Sequence, residues 1–284
     1  MKFRWIYHKN CWEIHIPEIF MLCILLIPLS SIAQENFPVG SRAAALANAV
    51  VMESDIWSLS HNQAGLGDYN HFSIGFHHEN KFIIPENALH SLALTLPVKT
   101  GTIGFSYTYF GFPKYNESKV GLAFGRNFGS KFSAGIQTNY HYIFVAGEYE
   151  SRYALTVEGG IQYKPLETIR IGIHVFNPTR SRLAPVQTDT LSTTLRAGIS
   201  YSPFEKLWMA LETEKSLTQK LRIKSGIEYE IQKGLFLRTG IITHPVQNTF
   251  GLGFNISRIN ADVAFSHHET LGFTPHFSMQ VRLK

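Results

Sequence analysis

Charged residues stand at even-numbered positions between residues 212 and 238, in a chain of which only 17% is charged, and five of them are considered first. They are Glu212, Arg222, Lys224, Glu228 and Arg238. Because side chains alternate between the two faces of a strand, these residues would share one face and leave an apolar row on the other. The pattern predicts a row of charges, here called the charge ladder, that points away from the apolar surface of a sheet.

The spacing of the charge ladder suggests which of its members face each other. If the loop near Leu217 is symmetric, Glu212 lies opposite Arg222 on the neighbouring strand. The next tight turn would then place Glu228 opposite Arg238. Opposite charges directly across two strands attract each other. The charge ladder would either narrow an interior space or only brace the wall around it, and bracing is the favoured interpretation.

Two pairs of adjacent histidines are a second candidate for chemistry. The pairs are His77-His78 and His267-His268. Adjacent residues of a strand point to opposite faces, so neither pair alone offers two ligands to one metal ion. If the first and last strands closed a barrel, the two pairs could meet near its loops. Solvated histidines at the rim are the favoured interpretation, and no metal site is predicted.

Catalytic signatures are missing from the sequence. It contains no G-x-S-x-G, H-E-x-x-H or phosphate-binding-loop motif. The two cysteines, Cys11 and Cys23, lie in a segment predicted to be removed, which excludes a thiol nucleophile, a cysteine metal site and a disulfide framework. The net charge of +5 is spread along the chain, so nucleic acid is not expected as a partner. We therefore expect neither an enzyme nor a bound cofactor.

The N-terminal residues 1–33 have the pattern of a secretory signal peptide. Three basic residues precede an apolar core at residues 19–29, and Ser31-Ile32-Ala33 supplies small residues for cleavage before Gln34. A membrane anchor is the alternative, but an apolar core of this length is shorter than the roughly 20 residues that a spanning helix needs. The pattern predicts export of the remaining chain.

From Phe72 onward, apolar and small or polar residues alternate. The longest such run has Phe132, Ala134, Ile136, Thr138 and Tyr140 on one face. Fourteen runs of this kind occur, and short connections alternate with longer ones, including a loop predicted at residues 111–118. This layout is typical of outer-membrane barrels. Residues 69–284 are therefore predicted to form an all-β transmembrane antiparallel β-barrel of about 14 strands, with membrane lipid around it.

Residues 34–68 do not follow the strand pattern. Ser41 is placed to cap a short helix over residues 42–50, because serine often precedes a helix. A polar stretch follows and ends in Asn62-Gln63-Ala64-Gly65-Leu66-Gly67, where glycines indicate turns. This segment is predicted to be a short helical unit that precedes the barrel.

Two motifs in this segment resemble those of the FadL-like outer-membrane transport barrels and their PorV/PorQ relatives of the type IX secretion system. In those families a G-x-R-A-x-A-L helix precedes an N-P-A-G-L turn. The matching positions are Gly40, Arg42, Ala43, Asn62, Gln63, Ala64 and Gly65, with Gln63 in place of the proline. The resemblance implies that residues 34–68 form a plug, or hatch, inside a fourteen-stranded barrel of the bacterial outer membrane.

The resemblance implies two different functions. A FadL-like barrel would allow passive passage of small hydrophobic molecules, through movement of the plug or a gap in the wall. A PorV/PorQ-like barrel would instead transport nothing and would hold a protein of the secretion system. The loops of this chain are modest in length, so the apolar pocket of a fatty-acid transporter is not expected in its usual form.

Overall fold

The computed structural model describes residues 37–147, 151–184 and 190–283. The predicted signal peptide lies outside these residues. The described residues form a closed barrel of fourteen antiparallel strands, in which β1 pairs with β14, and this confirms the predicted fold class. The strands are β1 Ser73–Asn80, β2 Ala88–Val98, β3 Gly101–Phe112, β4 Tyr115–Phe128, β5 Phe132–Val145, β6 Arg152–Leu166, β7 Ile169–Phe176, β8 Thr194–Phe204, β9 Leu207–Ser216, β10 Arg222–Gln232, β11 Leu235–Ile242, β12 Gln247–Ile256, β13 Ile259–His268 and β14 Gly272–Arg282.

Tight turns join the strands at one end of the barrel, and most loops at the other end are longer. The tight turns are residues 99–100, 129–131, 167–168, 205–206, 233–234 and 257–258. The loop predicted at residues 111–118 is wrong, because β3 and β4 remain paired as far as Phe112 and Tyr115. Pro113 and Lys114 alone make that turn. We call the two ends the turn end and the loop end.

The two faces of the wall differ as a membrane barrel requires. Every strand exposes large apolar side chains on its outer row, and Leu155 is 64% exposed there. The next residue of β6, Thr156, points inward and is 1% exposed. Charged side chains are costly on the lipid face of such barrels, so they are expected in the lumen. Among the described residues, no helix is long and apolar enough to cross a membrane.

The segment before β1 fills the lumen. We call its described part, residues 37–68, the plug segment; it contains α1 (Ser41–Ala45), α2 (Ser58–His61) and a 3-10 helix at Gln63–Gly67. Its large apolar side chains are fully buried, among them Leu46, Met52, Ile56, Leu59 and Leu66. Burial of this kind supplies most of the free energy that would hold such a segment in place.

The helix predicted over residues 42–50 is wrong in its length and its cap. It ends at Ala45 because Ala47 and Asn48 take positive φ angles of 57° and 56°, which an α-helix of L-residues does not contain. Gly40 occupies the cap position, and no side chain caps the helix. The backbone of Ser41 is held by the barrel instead, since its N–H donates to Ser278 Oγ at 3.1 Å.

Candidate functional site

The plug segment is bound to the wall by Arg42 of α1. The Arg42 guanidinium donates to both carboxylate oxygens of Glu228 on β10, at 2.8 and 2.9 Å. It also donates to Glu53 of the plug segment and lies 5.5 Å from the centre of the Trp208 ring. A two-pronged arginine–carboxylate pair fixes orientation as well as position. Arg42 therefore sets the place of α1 against the wall.

Glu228 also connects Arg42 to the neighbouring strands of the wall. Arg238 on β11 donates from Nε to Glu228 Oε2 at 2.5 Å and from NH1 to Asp262 Oδ1 on β13 at 2.6 Å. Glu228 and Arg238 lie directly opposite each other in the pairing of β10 with β11. Asp262, Arg238, Glu228 and Arg42 thus form a chain of alternating charges that ends on the plug segment.

Glu212 makes a second connection to the plug segment. Its Oε2 accepts a hydrogen bond from Val51 N at 2.9 Å. Its Oε1 accepts from Arg196 Nε at 2.7 Å and from Lys224 Nζ at 3.3 Å. The Glu212 carboxylate is fully buried, so the two cations beside it compensate its charge.

The predicted contact between Glu212 and Arg222 is wrong. Glu212 lies opposite Lys224, while Arg222 lies opposite Glu214 and donates to it at 3.3 Å. The hairpin of β9 and β10 is centred on Thr218, one residue later than assumed, and this moves the pairing by two positions. A shift of two keeps every side chain on its face, so all these charges still point into the lumen.

Arg196 on β8 is a further contact that the sequence analysis did not single out. Its NH1 donates to the carbonyl of His61 at 3.3 Å and its NH2 to that of Asn48 at 3.2 Å. It is buried and lies on the inward row of β8, because the neighbouring Leu195 points outward. The rule that placed the charge ladder in the lumen applies equally to this position and would have found it.

The Asn62-Gln63-Ala64-Gly65 turn is closed by its own side chains. Asn62 Oδ1 accepts from Ala64 N at 3.1 Å, and Asn62 Nδ2 donates to the carbonyl of Val51 at 2.7 Å. Gln63 Nε2 donates to the carbonyl of Leu59 at 3.1 Å. Gln63 thus forms a bond that proline in the same place would not form. The turn is tied to α2 and to the stretch between the two α-helices of the plug segment.

The small residues of the two motifs allow close packing inside the plug segment. Gly40 has a φ of 105°, and a Cβ there would approach the Trp57 ring to 2.8 Å. A Cβ on Gly65 would meet Ser58 Oγ at 2.5 Å. Ala43 packs with Leu46 and Val50 in a small buried cluster. A larger side chain at Gly40 or Gly65 would push these parts of the plug segment away from each other.

Inward-facing glycines bring the wall into contact with the plug segment. At each of them an added Cβ would collide with an atom of residues 45–67. We call this set the glycine ring: Gly75, Gly104, Gly125, Gly135, Gly160, Gly172, Gly198, Gly226, Gly240 and Gly251. They lie on ten different strands. Glycine in a strand interior often marks a close approach of another part of the chain. Here it is the plug segment, which meets some of these glycines with its backbone and the others with its side chains.

A cleft remains between the plug segment and the wall at the loop end. The empty space there, which includes open solvent, is about 380 Å³, and it is lined by Phe37, Ser60, Ser106, Thr108, Glu117, Lys119 and His141. Phe37 contributes an aromatic ring, whereas most of the other lining residues are polar.

Beside this cleft the wall is completed by a loop instead of a strand. The pairing of β6 with β7 ends at Glu158 and Phe176. Beyond that point the edge of β6 bonds to loop residues: Asn177 N donates to Val157 O at 3.0 Å, and Tyr153 and Ala184 exchange two bonds of 3.1 and 2.9 Å. Phe176 is buried where the strand pairing stops and packs edge-on against His141 of the cleft.

The predicted meeting of the two histidine pairs does not occur. His77 points inward and is 1% exposed, whereas His78 points outward and lies beside His90, with 3.3 Å between their Nδ1 atoms. His267 packs on Phe273, and His268 accepts from the backbone of Thr270 at the loop end. The histidine ring that lies beside His77 across the seam is that of His276 of β14, which belongs to neither pair.

A closed fourteen-stranded barrel with a segment packed in its lumen defines the class of this protein as a plugged transmembrane β-barrel. No protein-family model matches the chain, and no curated protein matches it in sequence. Comparison with solved structures finds barrels of similar fold. The region of similarity covers nearly the whole of those chains and most of this one.

Three solved channels illustrate the likeness. The Ralstonia pickettii toluene transporter TbuX is 13% identical, with 86% of this chain and 98% of TbuX covered and a TM-score of 0.62. The Pseudomonas putida toluene transporter TodX is 11% identical, with 88% and 97% covered and a TM-score of 0.60. A Pseudomonas aeruginosa FadL homologue is 10% identical, with 86% and 98% covered and a TM-score of 0.56. At these identities the likeness shows a shared fold alone, that of the FadL homologue and of the two toluene transporters.

Proposed function

We propose that this protein is a bacterial outer-membrane channel for the passive passage of small hydrophobic molecules, closed along its axis by the plug segment. The observation that carries the proposal is the plug segment inside a barrel of the FadL fold, held by Arg42, Glu212 and the glycine ring. A polar lumen blocked in this way does not pass ions along a straight path. An apolar solute needs a route that avoids the blocked axis.

The loop-completed part of the wall supports such a route. The solvent-open cleft reaches His141, which packs on Phe176, and Phe176 marks the end of strand pairing between β6 and β7. Beyond it, loop residues 177–184 and 190–193 complete the wall. Displacing a loop costs fewer backbone bonds than separating two strands, because only a few bonds join it to β6. We infer that a solute entering the cleft leaves sideways into the lipid past Phe176.

The test compares the protein with a variant that lacks residues 34–68. Both are expressed with residues 1–33 in place, purified from outer membranes and placed in liposomes. The complete protein is expected to take up a hydrophobic dye and to show almost no ion conductance. The deletion is expected to open a steady conductance, because the lumen-filling residues are gone. Dye uptake and single-channel current are the two measurements.

The control for this test is Arg42→Met, which keeps the plug segment but removes its bonds to Glu53 and Glu228. It is expected to give brief openings instead of a steady current. If the complete protein passes no dye and the deletion passes neither dye nor ions, the channel proposal is wrong. Capture of a secretion-system protein, as in the PorV/PorQ-like alternative, would then become the leading hypothesis.

A cross-link tests the sideways route. Tyr153 and Ala184 are directly paired, at a separation suited to a disulfide, so Y153C/A184C would fix the loop to β6. Dye uptake is expected to fall at least about tenfold on oxidation and to recover on reduction, because the wall can no longer part there. The matched pair L252C/V263C lies between β12 and β13 and is expected to leave uptake unchanged. Equal uptake by the oxidised and reduced Y153C/A184C protein would contradict this route.

A further inference from the structure

Three side chains at the closure of the barrel form a cluster beside Trp57 of the plug segment. His77 and Glu79 lie on β1, and His276 lies on β14. His276 Nδ1 is 3.4 Å from Glu79 Oε2, and His77 Nε2 is 3.9 Å from the same oxygen. One atom from each residue lies within 4.8 Å of the other two. All three side chains are buried, with 1%, 5% and 8% exposed.

Strand register places these residues together. Glu79 is directly opposite His276 in the pairing of β1 with β14, and His77 is two residues earlier on the same inward face. The two imidazole rings lie nearly parallel, with centres 6.1 Å apart. The arrangement is therefore set by the backbone of two paired strands, which is more rigid than a loop.

Hydrogen bonding within the described residues satisfies this cluster only in part. His77 Nδ1 has no hydrogen-bond partner there, and His77 Nε2 and His276 Nδ1 face only the Glu79 carboxylate, without good hydrogen-bond geometry. A buried polar atom without a partner costs free energy, and such atoms often indicate an ion or another ligand. The Nε2 atom of His276, by contrast, is hydrogen-bonded to Ser266 Oγ at 3.0 Å.

We propose that His77, Glu79 and His276 bind a divalent transition-metal ion, Zn²⁺ or a late first-row neighbour, across the β1–β14 seam. Two imidazoles and one carboxylate suit such ions. Around a tetrahedral Zn²⁺, ligand atoms at about 2.0–2.1 Å lie about 3.3–3.4 Å from each other. The Nδ1–Oε2 separation of 3.4 Å already has this value. His77 Nε2 lies 3.9 Å from the same oxygen, so this ring must move closer to complete the site.

The surroundings of His276 match those of a metal ligand. If Nδ1 binds the ion, Nε2 carries the hydrogen and donates it to Ser266 Oγ. A hydrogen bond of this kind to the second ring nitrogen is usual for histidines that bind metal, because it fixes the ring and its tautomer. The ion would join the first strand to the last one, and it would therefore strengthen the closure of the barrel.

The experiment measures metal binding to the complete protein, purified from outer membranes without a histidine tag. Zn²⁺ content after dialysis and the visible absorption of added Co²⁺ are the two readouts. One ion per chain is expected. H276A and E79Q are expected to weaken binding by more than about 100-fold, and S266A by about 10–100-fold. E79Q keeps the size of the side chain, which protects folding.

The control is H78A/H90A, which removes the histidine pair on the outer face of β1 and β2. It is expected to retain the ion. Zn²⁺ is also expected to raise the temperature at which the folded band disappears in electrophoresis, in the complete protein but not in E79Q. Absence of a bound ion, full binding by H276A and E79Q, or loss of binding in H78A/H90A would each overturn the proposal.

Discussion

Replacement of Glu212 by alanine is expected to lower the free energy of unfolding by about 3–5 kcal/mol, the usual cost of removing one partner of a buried ion pair. The carboxylate is fully buried and lies between Arg196 and Lys224. Its loss leaves those two cations in the lumen with one carboxylate fewer. Val51 N of the plug segment also loses its acceptor. Urea unfolding of the protein in detergent, followed by tryptophan fluorescence, measures the change.

Two variants control for this effect. Glu205 lies exposed in the turn between β8 and β9, so Glu205→Ala is expected to change the free energy of unfolding by less than about 0.5 kcal/mol. Glu212→Gln keeps an acceptor for Val51 N but not the charge, so its cost should come mainly from the two cations. If Glu212→Ala is as stable as the unchanged protein, the carboxylate neither balances these cations nor holds the plug segment.

The wall of this barrel could be predicted from sequence because strand alternation is a local property. Each inward residue is separated from the next by one outward residue, whatever its partner strand is. The inward position of Glu212, Lys224 and Arg238 follows from that parity alone. A mistake of one residue in the centre of the hairpin shifts the pairing by two positions, so it left the face correct and only exchanged partners.

The partners themselves depended on structure that the sequence does not show locally. To predict that Glu212 lies opposite Lys224, the centre of the β9–β10 hairpin has to be known to the residue. The end of α1 depended on positive φ angles at Ala47 and Asn48, and alanine gives no warning of such a conformation. The His276 contact with Glu79 required the register of the first and last strands, which are nearly 200 residues apart.

The contacts of the plug segment differ on its two sides. Toward β8, β9 and β10 it meets charged groups, chiefly Arg196, Glu212 and Glu228. Toward β2 and β4 it packs an apolar cluster that includes Trp57, Leu59, Leu66, Leu89 and Ala123. Polar contacts can be exchanged for water, whereas exposing the apolar cluster has a cost that grows with its area. We expect the charged side to separate first when the plug segment moves.

Substitution of Gly135 by valine is expected to displace the plug segment and open a conducting pore. Gly135 lies on β5 and faces the lumen, and an added Cβ would lie 2.6 Å from Ala64 N and closer still to the Gln63 carbonyl. Those atoms belong to backbone and cannot rotate away. Valine is well suited to a strand, so the wall itself should form. Conductance in planar bilayers should rise from near zero to a steady open level.

The matched control is Ala134→Val, one residue earlier on β5 with its side chain on the outer face. It adds bulk to the same strand but cannot touch the plug segment, so its conductance should equal that of the unchanged protein. Heat-dependent mobility in electrophoresis shows whether both variants have folded. A folded Gly135→Val protein that stays closed would mean that the turn at Asn62–Gly65 can shift without unblocking the lumen. In that case contact with the glycine ring is not what keeps the barrel closed.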